Sequence, residues 1–303
     1  MTCTPIVFLI FNRPLETMRV FDKIREVRPE KLLVVADGPR SSRPGEAALC
    51  RQTRAVLDRV DWPCQVLTDF ADTNMGCGRR IASGLEWAFE EVEEAIIVED
   101  DCLPDPSFFP YCDELLERYR SDERIMMISG NNFQNGASRT SDSYYFSHLP
   151  QIWGWATWRR GWALFNPNGT ELLAGLRTLG LTREFDFDGA FQYTSMLQDQ
   201  ISGANNSWAI RWYASAFLAN KVTLYPGRSL VINIGTDASG THCGSTDTFD
   251  VTSSTSPLHI GGVPVADSPE GRAAFTEFGK RNHLGSAVKH RLGRLARKLR
   301  LRA

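Results

Sequence analysis

No Cys-x-x-Cys pair occurs in this 303-residue chain, and its seven cysteines, at positions 3, 50, 64, 77, 102, 112 and 243, are odd in number. Such spacing argues against a disulfide frame and against a zinc site, and it fits a reducing cytosol. A Walker-type phosphate loop is missing. Gly76-Cys77-Gly78 lacks both the third glycine and the immediately preceding apolar strand of a dinucleotide fingerprint. No apolar run is long enough to cross a bilayer, and the first residues carry no basic segment of the kind that opens a signal peptide. Internal repeats are absent. The net charge is only −2, but it is unevenly spread: from Ser286 to Ala303 there are seven Lys or Arg and no acid, so the body is acidic. An acidic body repels phosphate backbones, and nucleic acid is not expected as a partner.

At 42% hydrophobic residues the chain can bury a large core. Its first 130 residues alternate short apolar runs with segments of helical period, the pattern of a mainly parallel α/β sheet flanked by helices. Strands are expected at 5–11, 31–36, 64–68, 95–98 and 125–128. Ile81, Leu85, Ala88, Phe89 and Val92 recur at helical spacing, as do Phe108, Cys112, Leu115, Leu116 and Tyr119. Each strand runs into polar or turn residues, which would converge along one sheet edge. Beyond Asn132 the composition changes: six of the eight tryptophans fall between Trp153 and Trp212, and residues 235–256 are rich in Gly, Ser, Thr and Asp. The first feature suggests a substrate-facing half, the second a mobile loop.

The strongest local signal is Ala95-Ile-Ile-Val-Glu99-Asp100-Asp101, an apolar strand that ends in three carboxylates. In an open α/β sheet, ligands bind beyond the carboxyl ends of the strands. Adjacent acids there suit a hard cation, Mn²⁺ or Mg²⁺, shared with substrate phosphates. An acidic turn in which Asp100 or Asp105 caps the next helix explains the same residues. Asp37 at the end of the second strand can accept from a nucleobase imide and Arg13 after the first can contact a nucleotide, or the two can be a capping acid and a surface cation. Trp153-Gly-Trp155-Ala-Thr-Trp158 presents flat rings between small residues, suited to stacking on sugars or to core packing. His242, in a Gly/Ser-rich stretch, is either a phosphate contact or a solvated loop residue.

Ile10-Phe-Asn-Arg13-Pro, Val35-Ala-Asp37-Gly, Val98-Glu-Asp-Asp101, Met127-Ile-Ser-Gly-Asn131, Trp153-Gly-Trp155 and Tyr225-Pro-Gly-Arg228 together resemble a GT-A glycosyltransferase over roughly residues 4–245. The likeness is to the N-acetylglucosaminyltransferase I group and to bacterial hemolytic-protein-like glycosyltransferases. The resemblance implies that Asp101 binds Mn²⁺ (or Mg²⁺), that Asp100 touches the donor ribose or sugar, that Asp37 reads uracil, and that Arg13 contacts the nucleotide; Glu99 and His242 are further donor-side candidates. Trp153, Trp155 and Trp208 are the candidates for the acceptor side. The resemblance departs at the general base: Asn205-Asn-Ser-Trp208-Ala209 lacks an acid where the family has one. Asp199, the nearest acid before it, becomes the candidate base, with Asp237 and His242 as alternatives.

The expected organisation is one GT-A domain over 1–270, with a nucleotide-binding half (1–130) and an acceptor half (131–270), followed by a C-terminal helix and basic tail (271–303). The expected activity is inverting transfer of a hexosyl or N-acetylhexosaminyl group from a UDP-sugar to a hydroxyl on a glycan or lipid-linked saccharide. A sugar nucleotidyltransferase and a non-catalytic, membrane-surface glycan-binding protein are the rivals. In the tail Val288, Leu292, Leu295 and Leu299 repeat at helical spacing among cations. That pattern suits an anionic bilayer surface, hence a cytoplasmic chain placed peripherally on the inner face of the membrane.

Overall fold

The computed structural model describes residues 2–132, 144–235 and 262–281. In chain order the elements begin β1 (Ile6–Ile10), α1 (Pro14–Val27), β2 (Lys31–Ala36), α2 (Glu46–Arg54), β3 (Gln65–Phe70), α3 (Cys77–Glu91), β4 (Glu94–Glu99), β5 (Cys102–Pro104), α4 (Phe108–Arg118) and β6 (Ile125–Ser129). They continue with β7 (Tyr144–Ser147), β8 (Trp155–Trp158), α5 (Arg159–Trp162), α6 (Gly169–Thr178), α7 (Thr182–Phe185), α8 (Tyr193–Ser202), α9 (Ala209–Leu218), β9 (Val222–Pro226) and β10 (Val231–Asn233). A further helix, α10, covers 269–281.

Eight strands form one sheet in the order β3-β2-β1-β4-β8-β6-β9-β7. Its parallel part, β3-β2-β1-β4, is the segment whose strand ends build the cleft. Strand β8 enters antiparallel between β4 and β6, so both halves of the chain share one sheet. β5 pairs antiparallel with β10, placing Asn233 opposite Cys102.

β1 is buried at all five positions, and its alternation explains why. Ile6, Phe8 and Ile10 join α1 and α4 on one face, while Val7 and Leu9 join α3, α5 and α9 on the other. A strand apolar on both faces requires cover on both, as parallel sheets do. α1 starts with Pro14 in its first turn, buries Thr17, Val20, Phe21 and Ile24, and ends where Arg28 turns left-handed at φ 49° before Pro29. Among the described residues no helix is long and apolar enough to cross a membrane. The expected mobile loop lies outside the described residues apart from Gly235, and so does the basic tail.

The tryptophans behave differently from the sequence expectation. Trp155 is fully buried and Trp208 nearly so. Trp155 lies 6.0 Å from Trp208 and 6.1 Å from Trp212, and Trp162 stacks on Phe165 at 4.7 Å. β8 is an interior strand, so the residues that alternate along it meet helices rather than an acceptor. The rings fill the layer between the sheet and α3, α5 and α9. Trp153 alone among the three acceptor candidates is partly exposed. Trp155→Ala is therefore expected to cost about 3–5 kcal/mol in denaturant unfolding, the range for a large buried aromatic. Trp155→Phe should cost much less, since it keeps most of the ring and removes an indole N–H that has no partner.

Candidate functional site

The carboxyl ends of β1, β2 and β4 and the start of α3 surround a cleft of about 200 Å³. Phe11, Arg13, Asp37, Arg40, Asn74, Gly76, Cys77, Arg80, Glu99, Asp100, Asp101 and Asn206 contribute to its walls. The five nucleotide-side candidates, Arg13, Asp37, Glu99, Asp100 and Asp101, thus meet in one place although they come from three strand ends.

Asp37 is a clasp. Its Oδ1 accepts N–H bonds from Gly38 and Met75 at 2.8 Å, and its Oδ2 accepts from Gly76 at 3.0 Å and from Asn74 Nδ2 at 2.9 Å. Three of the four, from Asn74, Met75 and Gly76, tie the end of β2 to the turn that leads into α3. A uracil N–H would have to displace one of them. Arg54 reinforces the junction by donating to the carbonyls of Asp37 at 3.0 Å and Ala71 at 2.7 Å.

The turn into α3 needs its glycines. Gly76 sits at φ 79°, and a Cβ on Gly78 would lie 2.0 Å from the Asn206 carbonyl oxygen. The first turn of α3 is thereby pressed against the 203–208 loop, and Gly76 and Cys77 line the cleft. A helix start of this kind, with unpaired N–H groups and the positive end of its dipole, suits a phosphate.

At the opposite wall the three acids follow β4. Asp100 Oδ2 accepts the Phe11 N–H at 3.0 Å. Asp101 Oδ2 accepts from Arg13 Nη1 at 2.6 Å, and the same nitrogen is 3.8 Å from Asp100. The Cys102 thiol donates weakly to Asp101 Oδ1 at 3.5 Å. The Asp101 carbonyl accepts from the Ile234 N–H at 2.7 Å, which brings Gly235 directly onto the ion pair. A Cβ there would lie 2.5 Å from Asp101 Oδ2 and 2.7 Å from Arg13 Nη1, so a side chain at 235 would have to push the pair aside.

Burial, then repulsion from Asp101, raises the Glu99 carboxyl to about 8 and the Asp100 carboxyl to about 7. Burial with the nearby acids likewise pushes the Cys77 thiol up to about 12, which removes it as a nucleophile at neutral pH. Among the described residues no three His, Cys, Asp or Glu side chains converge into a closed metal cage. One carboxylate of the cleft wall, Asp101, nevertheless fits Mn²⁺ or Mg²⁺, which are held by one or two carboxylates and complete their shells with phosphate oxygens and water.

Several site residues were not legible in the sequence. Arg80 is buried, donating from Nε to the Ala36 carbonyl at 3.1 Å and pairing with Asp69 at 2.7 Å. Arg40 is anchored by the buried Glu46, with its backbone N–H donating at 2.6 Å, and its guanidinium lies 5.5 Å from the Phe11 ring centre. Asn12 Nδ2 holds the same Glu46 at 2.9 Å. Asn206 arrives from the loop after α8. Asp199, by contrast, is on the exposed side of α8 and outside the cleft lining. His242 and Asp237 lie outside the described residues.

No protein-family model matches the chain, and no curated protein matches it. Among solved structures it is similar to a mannosyltransferase from Pyrobaculum calidifontis in complex with GDP-Man and Mn²⁺, at 13% identity over 72% of this chain and 75% of that one, TM-score 0.36. It is also similar to UDP-glucose pyrophosphorylase complexed with UDP-glucose, at 11% identity over 73% and 89%, TM-score 0.36. The apo form of a UDP-glucose pyrophosphorylase gives 10% identity over 76% and 93%, TM-score 0.38. Likenesses of this degree carry no argument about what this chain binds.

Glu99 and Asp100 ionise at higher pH in the folded chain than their ordinary values of 4.5 and 3.8, so folding favours their protonated forms. That contribution is full below the ordinary values and is lost as pH rises toward 7 and 8. Without divalent cations, Glu99→Gln is expected to raise Tm relative to the parent chain more at about pH 8 than at about pH 5, read by circular dichroism melts.

Proposed function

We propose that this chain is a metal-dependent glycosyltransferase that moves a sugar from a UDP-sugar to a hydroxyl on a glycan or lipid-linked saccharide, with inversion. One observation carries the reading: Asp101, at the end of β4, shares a cleft with the Asp37 clasp and the first turn of α3. That arrangement offers a carboxylate for a divalent cation on one wall and N–H donors for a diphosphate on the other. It also agrees with the GT-A resemblance carried by the motifs in which Arg13, Asp37 and Asp101 stand.

When bound, Mn²⁺ or Mg²⁺ supplies Lewis-acid stabilisation of the charge that grows on the leaving diphosphate. The chain's own residues do the rest. Asp37 fixes the two loops that flank the nucleotide end, while Phe11 with the Arg40 guanidinium over its ring forms the wall beside them. The α3 start meets the diphosphate. Trp153 is the remaining tryptophan candidate for an acceptor contact, and the basic stretch 286–303 would favour an acceptor carried in an anionic membrane.

A sugar nucleotidyltransferase has to hold a triphosphate, which calls for cations to spare. Arg13, Arg40 and Arg80, the arginines lining the cleft, are each already paired with a carboxylate of the protein. The diphosphate reading is therefore favoured.

Asp101→Asn is expected to abolish the Mn²⁺-dependent part of UDP binding in calorimetry while leaving the melting transition cooperative. Undiminished metal-dependent binding in that variant would sink the metal assignment. A general base at Asp199 would be worth roughly 10²–10⁴-fold in rate. From its exposed place outside the cleft, Asp199→Asn is instead expected to leave UDP release from donor and acceptor essentially unchanged.

A further inference from the structure

Arg13 occupies the position a cation would need. Its Nη1 lies 2.6 Å from Asp101 Oδ2 and 3.8 Å from Asp100 Oδ1, the guanidinium side chain is only 15% exposed, and Gly235 closes over the pair. The carboxylates around it leave no comparable alternative among the described residues. Glu99, Asp100 and Asp101 stand in sequence, and Glu16 is a further acid acting on this arginine. Arg13 is thus the counter-ion of Asp101.

Two charges at one carboxylate compete. A divalent cation on either Asp101 oxygen would lie a few ångströms from Nη1, where the repulsion of a double charge by a guanidinium is large in a partly buried site. Among the described residues only Nη1 of the fork is engaged, and a guanidinium carries five N–H donors suited to phosphate oxygens. The cleft that holds Arg13 is the cleft proposed for the diphosphate. From these facts we infer that Arg13 couples the two ligands: metal binding at Asp101 displaces the guanidinium, which then engages the donor diphosphate. The inference rests on the metal and UDP-sugar reading above and adds to it a positioning residue that makes the two ligands bind cooperatively.

The consequences are reciprocal, as linkage requires. Metal alone binds poorly because it must break the Arg13–Asp101 pair with no phosphate to receive the arginine. UDP alone binds poorly because Arg13 is withheld by Asp101. Together they exchange partners, and neither cation is left facing the other without an anion between them. A merely structural Arg13, one that only neutralises the acidic turn, would leave the coupling between metal and nucleotide untouched.

The test is a binding cycle on the full chain. Mn²⁺ alone, UDP alone and UDP with saturating Mn²⁺ are titrated by calorimetry into the parent protein, Arg13→Gln and Arg13→Lys, with thermal melts to confirm folding. In Arg13→Gln, Mn²⁺ alone should bind more tightly than to the parent, and the enhancement of UDP affinity by Mn²⁺ should shrink. Couplings of this kind are typically roughly 5- to 150-fold, so losing most of it is readily measured. Arg13→Lys, which keeps a charge that can pair with Asp101, should keep weak binding of Mn²⁺ alone. Unchanged affinity for Mn²⁺ alone in Arg13→Gln, or an unchanged enhancement of UDP binding, overturns the coupling. A parent protein in which Mn²⁺ never enhances UDP binding overturns the site reading itself, which is a different result.

Discussion

Three consecutive carboxylates at the end of a central buried strand are the constraint around which this molecule is arranged. β4 lies between β1 and β8, so Glu99, Asp100 and Asp101 emerge where little water reaches. Like charges so placed repel, and the protein answers with the means it has. Phe11 donates its N–H to Asp100, Arg13 bridges Asp100 and Asp101, and Glu99 and Asp100 hold their protons to unusually high pH. Both compensating groups follow β1, the parallel neighbour of β4. The pairing of these two strands in register, with Leu9 opposite Glu99, is therefore what makes the acidic turn tolerable.

A second arrangement mirrors the first across the cleft. Where the acids of β4 gather positive partners, Asp37 after β2 gathers N–H groups, and in doing so it draws the 74–76 turn inward. α3 consequently begins at the cleft rather than beside it. The close contact of Gly78 with the Asn206 carbonyl then ties the loop after α8 to the start of α3. Distant segments are thus brought to one cleft by backbone contacts that tolerate no side chain.

Local regularities were legible in the sequence. β1 spans Ile6–Ile10 within the expected 5–11, β2 matches 31–36, and α3 and α4 carry the apolar positions read from their helical spacing. These features depend on neighbours along the chain, which is what periodicity reports. The convergence of Arg13, Asp37 and Asp101 was legible for a related reason, since parallel strands deliver their carboxyl ends to one edge. Other features depend on long-range pairing. Nothing near Trp155 reveals that β8 will insert between β4 and β6, so a ring that looked available for stacking became core. Arg80 reads as a surface cation until the Ala36 carbonyl and Asp69 are placed beside it.

The charge state of the cleft is the feature that bears most on its chemistry. Arg40 is neutralised by Glu46, Arg80 by Asp69 and Arg13 by Asp101. A diphosphate in this cleft, as proposed, would face the start of α3, but every lining guanidinium already answers to an internal acid. Positive charge must then be imported with the ligand or released from one of these pairs. Of the three, the Arg13 pair lies against the acidic turn itself, and its opening would expose an oxygen ligand and a phosphate donor in the same movement. Arg80 is held by two backbone carbonyls as well as by Asp69, and Arg40 by a buried glutamate that also accepts from Asn12. Those two are built into the walls; Arg13, held at one nitrogen, is the cation that the fold leaves able to move.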